Sequence, residues 1–205
     1  IGYIPEHATL SLTGLGVCLP VITAVMAFAN LFGMGGAPLC SIERGRGNQK
    51  EAEAIMGNAF TLMVICGILL TILGIVFRRP LLYLFGASDS TYPYAESYMT
   101  IYLLGSVFVM MGLGMNAFIN SQGFGRIGMQ TVLLGAVANI ILDPVFIFGF
   151  RMDVRGAALA TIISQTISAV LTVVALMKRR DACRFDPKAM AFHKDALVKI
   201  IRIGV

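Results

Sequence analysis

The sequence predicts an all-α, polytopic membrane helix bundle with five transmembrane helices, on three observations. Hydrophobic residues make up 57% of the 205 residues and charged residues only 13%, where a soluble domain carries roughly 25% charged residues. Mean hydropathy is +0.81. The charges that exist lie at the ends of long uncharged stretches, at 8–42, 54–77, 97–125, 127–142 and 156–177. A disordered chain is excluded, because such chains are poor in apolar residues. So is a soluble enzyme with an ordinary water-facing surface.

Roughly 20 apolar residues cross the hydrocarbon core. The first helix is expected near 12–40. Its run is too long for one upright span and too short for two, so it reads as a tilted helix with an interfacial lead-in. Gly33, Gly35, Gly36 and Pro38 mark a bend near its end. The second and third helices fall near 54–77 and 95–118. The fourth, near 127–150, is interrupted by Asp143, and apolar character resumes at Pro144. The fifth lies near 156–177. Strands would need about ten residues of alternating character, and these runs are longer and apolar on every side. Hydrocarbon offers backbone amides no partner, so each run pairs its own as a helix.

The basic residues orient the bundle. With five spans, the loops at 43–53 and 119–126 and the tail 178–205 share one side. That side holds Arg44, Arg46, Lys50, Arg126 and every Lys and Arg from Lys178 to Arg202, against Arg78, Arg79, Arg151 and Arg155 on the other. The bias places those loops and the tail in the cytoplasm, in a plasma (inner) membrane protein. The net charge of +5 is then a set of helix anchors. Nucleic acid is not an expected partner, since no aromatic residues interleave with the bases as stacking platforms. The four cysteines lie in spans or the tail and imply no disulfide framework. No CxxC or Cys/His metal spacing occurs, and no cofactor is expected.

Asp143 is the residue that costs most to place in a membrane. An acid near the bilayer centre costs about 2.5–3.5 kcal/mol even on lenient scales. Asn139 lies one turn before it on the same face. Pro144 follows, lacks an N–H, frees the Ile140 carbonyl and kinks the helix. Thr161 on the next helix comes to a similar depth, with Asp143 and Thr161 roughly 10 and 8 Å below the outer interface at 1.5 Å rise per residue. Carboxylate, amide and hydroxyl oxygens are what a proton relay or a Na⁺ site uses. The alternative is that Asp143 bonds backbone groups freed by the proline.

Small residues recur at i, i+4 spacing, as Gly156, Ala160 and Ser164, and as Gly135 with Asn139. That spacing lets membrane helices pack closely. Gln122 and Gln165 either line a substrate path or bond between helices. Met115, with Met110 and Met111, either forms an adaptable apolar wall or simply packs. From Pro187 the tail has the pattern of an amphipathic helix leading toward another span. The chain starts at Ile1 without an initiator Met, and reads as an internal piece of a longer protein.

The segment 135–165, GAVANIILDPVFIFGFRMDVRGAALATIISQ, closely resembles the fifth and sixth helices of multidrug and toxic compound extrusion (MATE) transporters. Its Asn-x-x-x-Asp-Pro element is the most specific feature. GLGVCLPVITAVMAFANLFGMGGAPLCS resembles the second helix, and GRGNQKEAEAIMGNAF the following loop and third helix. NSQGFGRIGMQ is similar to the connection between the fourth and fifth. The resemblance implies a protein of twelve helices in two six-helix lobes. Residues 1–180 would supply helices two to six of the amino-terminal lobe, and 181–205 a cytoplasmic inter-lobe linker and the start of helix seven. In the prokaryotic damage-inducible and MepA-like branch, an ion site uses an Asn and an Asp on helix five and a Thr on helix six, matched by Asn139, Asp143 and Thr161. A further Asp belongs to the first helix, which this chain lacks.

The implied activity is secondary antiport, exporting organic, often cationic, compounds in exchange for H⁺ or Na⁺. The implied partners are small organic molecules, the lipid bilayer, the missing first helix and the carboxy-terminal lobe. A lipid-linked precursor flippase would need a basic cavity, and no Lys or Arg lies within any span. A non-transporting membrane scaffold would need no ion-responsive acid. An enzyme fits least, because no nucleophile–base pair or metal cluster shares a depth.

Overall fold

The computed structural model describes residues 8–178, 200–202 and 204. The linker and the amphipathic segment expected within 181–205 otherwise lie outside the described residues. Among the described residues, seven α-helices follow in order over 8–178: α1 (Ala8–Gly45), α2 (Gln49–Val76), α3 (Arg78–Leu84), α4 (Tyr92–Leu104), α5 (Ser106–Ser121), α6 (Gly125–Pro144) and α7 (Asp153–Lys178), with a π-helical turn, Val145–Gly149, between the last two. No strand occurs among the described residues. Among the described residues, four segments are long and apolar enough to cross a membrane alone, namely Thr9–Gly45, Gln49–Val76, Gly125–Gly149 and Asp153–Lys178. The α4–α5 pair makes a fifth if taken as one bent span. The protein is a multi-pass, all-α membrane bundle.

α1 is longer than the sequence implies. Its 38 residues extend about 57 Å at 1.5 Å per residue, well beyond a hydrocarbon core of about 30 Å. The stretch expected to bend it remains helical through Pro38. Its glycines serve a helix crossing instead. A Cβ built on Gly33 would lie 2.8 Å from the Gly114 Cα of α5, and one on Gly36 2.7 Å from the Phe118 ring. Small residues are what permit such approach between membrane helices. Met63 of α2 plugs the same crossing from the side, and Met63, Met110 and Phe118 are wholly buried.

The third span differs from expectation. Instead of one helix over 95–118, the chain breaks at Gly105 and bends by 55°. The cause lies in other helices. A side chain at Gly105 would meet Ile162 of α7 at 2.5 Å. The Thr71 hydroxyl of α2 lies 2.6 Å from the Leu103 carbonyl and 2.9 Å from the Ser106 hydroxyl, and Ser106 also donates to the Gly67 carbonyl at 3.3 Å. A break whose freed backbone groups find such partners is sustainable in lipid. The helix α3 is also additional; Phe77 alone separates it from α2.

Turn chemistry closes the two connections on the side of the basic residues. Gly47 adopts φ +79° and Gly123 φ +87°. The next amide reaches back five residues in each, Asn48 to the Glu43 carbonyl at 2.9 Å and Phe124 to the Ile119 carbonyl at 3.2 Å. Glycine takes this left-handed conformation without a Cβ clash. The ends are then tied together: Ser41 donates to the Ser121 carbonyl at 2.9 Å and Arg44 to the Gln122 carbonyl at 3.3 Å.

Candidate functional site

α6 and α7 pack as antiparallel neighbours, as their short connection requires. Their register is set by Gly135, whose Cβ position lies 3.1 Å from Ser168 Cβ and 3.2 Å from the Ser164 carbonyl. One turn along α6 lies Asn139, which lines one cavity with Thr161, and Asp143 lies a further turn toward Gly156. With Gly156 against Phe146 at the other end of the pair, Thr161 stands between the levels of Asn139 and Asp143.

Between α5, α6 and α7 lies a cavity of about 340 Å³. Asn139, Thr161 and Gln165 all line it, together with Gly112, Asn116 and Ser168, and no charged side chain does. Several of its polar groups are already engaged. Thr161 donates to the Ala157 carbonyl at 2.9 Å and Ser164 to the Ala160 carbonyl at 2.6 Å. Asn116 donates to the Gly128 carbonyl and to the Thr131 hydroxyl, each at 3.0 Å, and accepts from Asn120 at 2.8 Å. Its amide thus clamps α5 to α6. Asn139, Gln165 and Ser168 make no side-chain hydrogen bond among the described residues.

Asp143 does not line the cavity. It is half-buried, and its Oδ1 is enclosed with no hydrogen-bond partner. Tyr98 of α4 interacts with both Thr161 and Asp143, and stacks on Tyr102 with ring centroids 6.1 Å apart and planes 13° apart. The chain around the acid is irregular, as Pro144 requires. α6 ends at the proline, the π-helical turn follows, and the Phe150 and Met152 amides return to the Val145 and Phe146 carbonyls at 3.0 and 3.1 Å. Gly156 at the start of α7 fits under this turn, its Cβ position 2.9 Å from the Phe146 carbonyl carbon.

Two residues for which the sequence left a substrate path or packing open, Met115 and Gln122, do not line this cavity. Met115 is fully buried in the apolar core. Gln122 caps the far end of α5, where its amide is enclosed without a partner. Sequence reasoning missed Asn116 and Tyr98. Both carry signals of the kind that exposed Asn139: Asn116 and Asn120 are amides one turn apart near the end of an apolar run, and Tyr98 and Tyr102 are phenols at the same spacing. No group of three or more His, Cys, Asp or Glu among the described residues is placed to hold a metal.

The helical membrane bundle thus holds a cavity lined by uncharged residues, with a half-buried acid beside it whose Oδ1 has no hydrogen-bond partner. Residues 3–145 match the family model described as MatE, and the chain belongs to that family. It is 28% identical over 205 residues to the multidrug export protein MepA of Staphylococcus haemolyticus, covering 100% of this chain and 45% of that protein. The chain therefore spans about half the length of the curated relatives it matches. Among solved structures, it resembles a multidrug resistance MATE family transporter of the MOP superfamily in the inward-facing conformation, with TM-score 0.89 and 25% identity over 95% of this chain and 44% of the other. A MOP superfamily transporter from Pyrococcus furiosus, described as having a binding pocket of reversed polarity that suggests a different function, is similar at TM-score 0.88 and 25% identity, covering 96% of this chain and 44% of that one.

Proposed function

We propose that this chain is the greater part of one lobe of a secondary antiporter that exports organic, often cationic, compounds in exchange for H⁺ or Na⁺. In a protein of its relatives' length, another helix and a second lobe would complete the transport path. The observation that carries this reading is the enclosed, partnerless Oδ1 of Asp143. An unpaired acid oxygen inside a membrane protein is costly, and a bound proton or cation removes that cost. Asn139 and Thr161, on the two helices flanking it, add amide and hydroxyl oxygens suited to the same ion.

Loading Asp143 would alter the helix end at Pro144 and its contact with α7, and so the balance between lobe arrangements. Substrate entering the neighbouring cavity would draw on the same equilibrium. The absence of any Lys or Arg in the cavity lining favours this over a flippase handling anionic lipid-linked precursors. The asymmetry of basic residues supports a plasma membrane protein with 43–53, 119–126 and 178–205 cytoplasmic. The test is Asp143→Asn in the full-length protein in proteoliposomes: gradient-driven export of organic cations is lost while insertion and yield are unchanged. Undiminished export overturns the assignment. Imposing a proton gradient and a Na⁺ gradient separately identifies the coupling ion.

A further inference from the structure

We propose that Gly112 and Gln165 together form a selectivity element in the cavity, in which the missing side chain of Gly112 leaves the Gln165 amide open to cargo bearing an N–H donor. The inference rests on the reading of the cavity as part of a transport path.

Three glycines in or beside α5 invite comparison. A side chain at Gly105 would run into Ile162, and one at Gly114 into the thioether of Met63. Packing explains both. Gly112 is different. A Cβ there would lie 3.5 Å from Gln165 Oε1, 3.6 Å from the Gln165 carbonyl and 3.7 Å from Ala169 Cβ, all ordinary contacts. Alanine would fit, and glycine inside a helix is destabilising relative to alanine. What glycine does at this position is leave cavity space directly in front of the Gln165 amide.

That amide is one of the few polar groups in the cavity still available. The Asn116 amide is held by Gly128, Thr131 and Asn120, and the hydroxyls of Thr161 and Ser164 donate to their own helix. The Gln165 side chain has no partner among the described residues. It faces a cavity of about 340 Å³, a size that suits a small organic ligand. The complementary cargo is therefore a compact ring system carrying amino, amidine or amide N–H groups. A ring cation without N–H groups gains nothing from this element.

The test uses the full-length protein in detergent and in proteoliposomes, with ethidium as the cation bearing amino groups and tetraphenylphosphonium as the cation without them. Gly112→Ala and Gln165→Leu should each weaken ethidium binding about fivefold to tenfold, the scale of one hydrogen bond, and leave tetraphenylphosphonium within about twofold. Gly112→Ala should melt at or above the wild-type temperature, which separates loss of selectivity from damage to packing. Equal losses for both probes, or unchanged binding of both, overturn the proposal. Asp143→Asn run in parallel distinguishes the two readings. If it stops export of both cations while the Gly112 and Gln165 variants keep the wild-type preference, the selectivity element fails alone. If it exports normally, the antiport assignment fails, and the binding ratio still decides the role of Gly112.

Discussion

The two faces of α5 are built on opposite plans. Toward α1 and α2 it presents Gly114 and Phe118, one turn apart, and the contact is dry: Gly33 meets Gly114 backbone to backbone, with Met63 and Phe118 filling the flanks. Toward α6 and α7 it presents Gly112 and Asn116, also one turn apart, and the contact is polar and incomplete. Glycine occurs on both faces with contrary consequences. Gly114 allows helices to close, and Gly112 keeps a space open. Where hydrocarbon surrounds a bundle, apolar packing cannot rely on expulsion of water. Close backbone approach holds one half together, and hydrogen bonds hold the other while leaving room for a ligand.

The contrast can be broken most severely at the dry face. Gly33→Leu forces a Cβ to 2.8 Å from the Gly114 Cα and 2.9 Å from its carbonyl oxygen, and backbone does not yield as a flexible side chain does. A loss of at least about 3 kcal/mol is expected, seen as loss of the monodisperse peak in size-exclusion chromatography of the full-length protein. A wild-type profile would show that the crossing is not a structural pivot. At the polar face, Asn116→Ala removes three hydrogen bonds between and along α5 and α6. Interhelical bonds in membranes average about 0.6 kcal/mol, so a moderate destabilisation of about 1–2 kcal/mol is expected, read as a lower melting temperature with folding retained. A loss as large as that of Gly33→Leu would erase the distinction between the two faces.

The smallest effect is expected outside both. Arg78 Nε pairs with Glu96 Oε1 at 2.9 Å, tying α3 to α4, with side chains 42% and 29% exposed. Exposed ion pairs contribute at most about 1 kcal/mol, so Arg78→Gln should shift the melting temperature slightly, and less so in high salt. A large shift would show that the short α3 is a structural brace for the bent span.

Much of the fold was legible because ionised groups are excluded from hydrocarbon. That rule located the segments corresponding to α1, α2, α6 and α7 to within a few residues, apart from the extended ends of α1. It could not reveal the break at Gly105, because a glycine in an apolar run is commonplace in membrane helices. What makes this one a break is Ile162 on α7 and the Thr71 hydroxyl on α2, which are distant in sequence. The site was partly legible for the same reason. Asn139, Asp143 and Thr161 stood out as polar groups in apolar runs. Met115 did not differ in type from a cavity-lining methionine, and only the rotation of α5 placed it in the core.

By itself, then, the sequence determined that the chain is a membrane-spanning helical bundle, where most of its helices lie, and that Asp143 is its most expensive residue. These follow from the cost of charge and of unpaired backbone groups in lipid, which each segment meets locally. The tertiary structure alone decided that α4 and α5 are two helices, that Asn139 and Thr161 line a cavity which Asp143 does not, and that Asn116 is a clamp. It also decided that Gly112 opens a space which Gly114 closes. Each of these depends on which atoms of another helix stand within a few ångströms, and no local pattern in the chain carries that information.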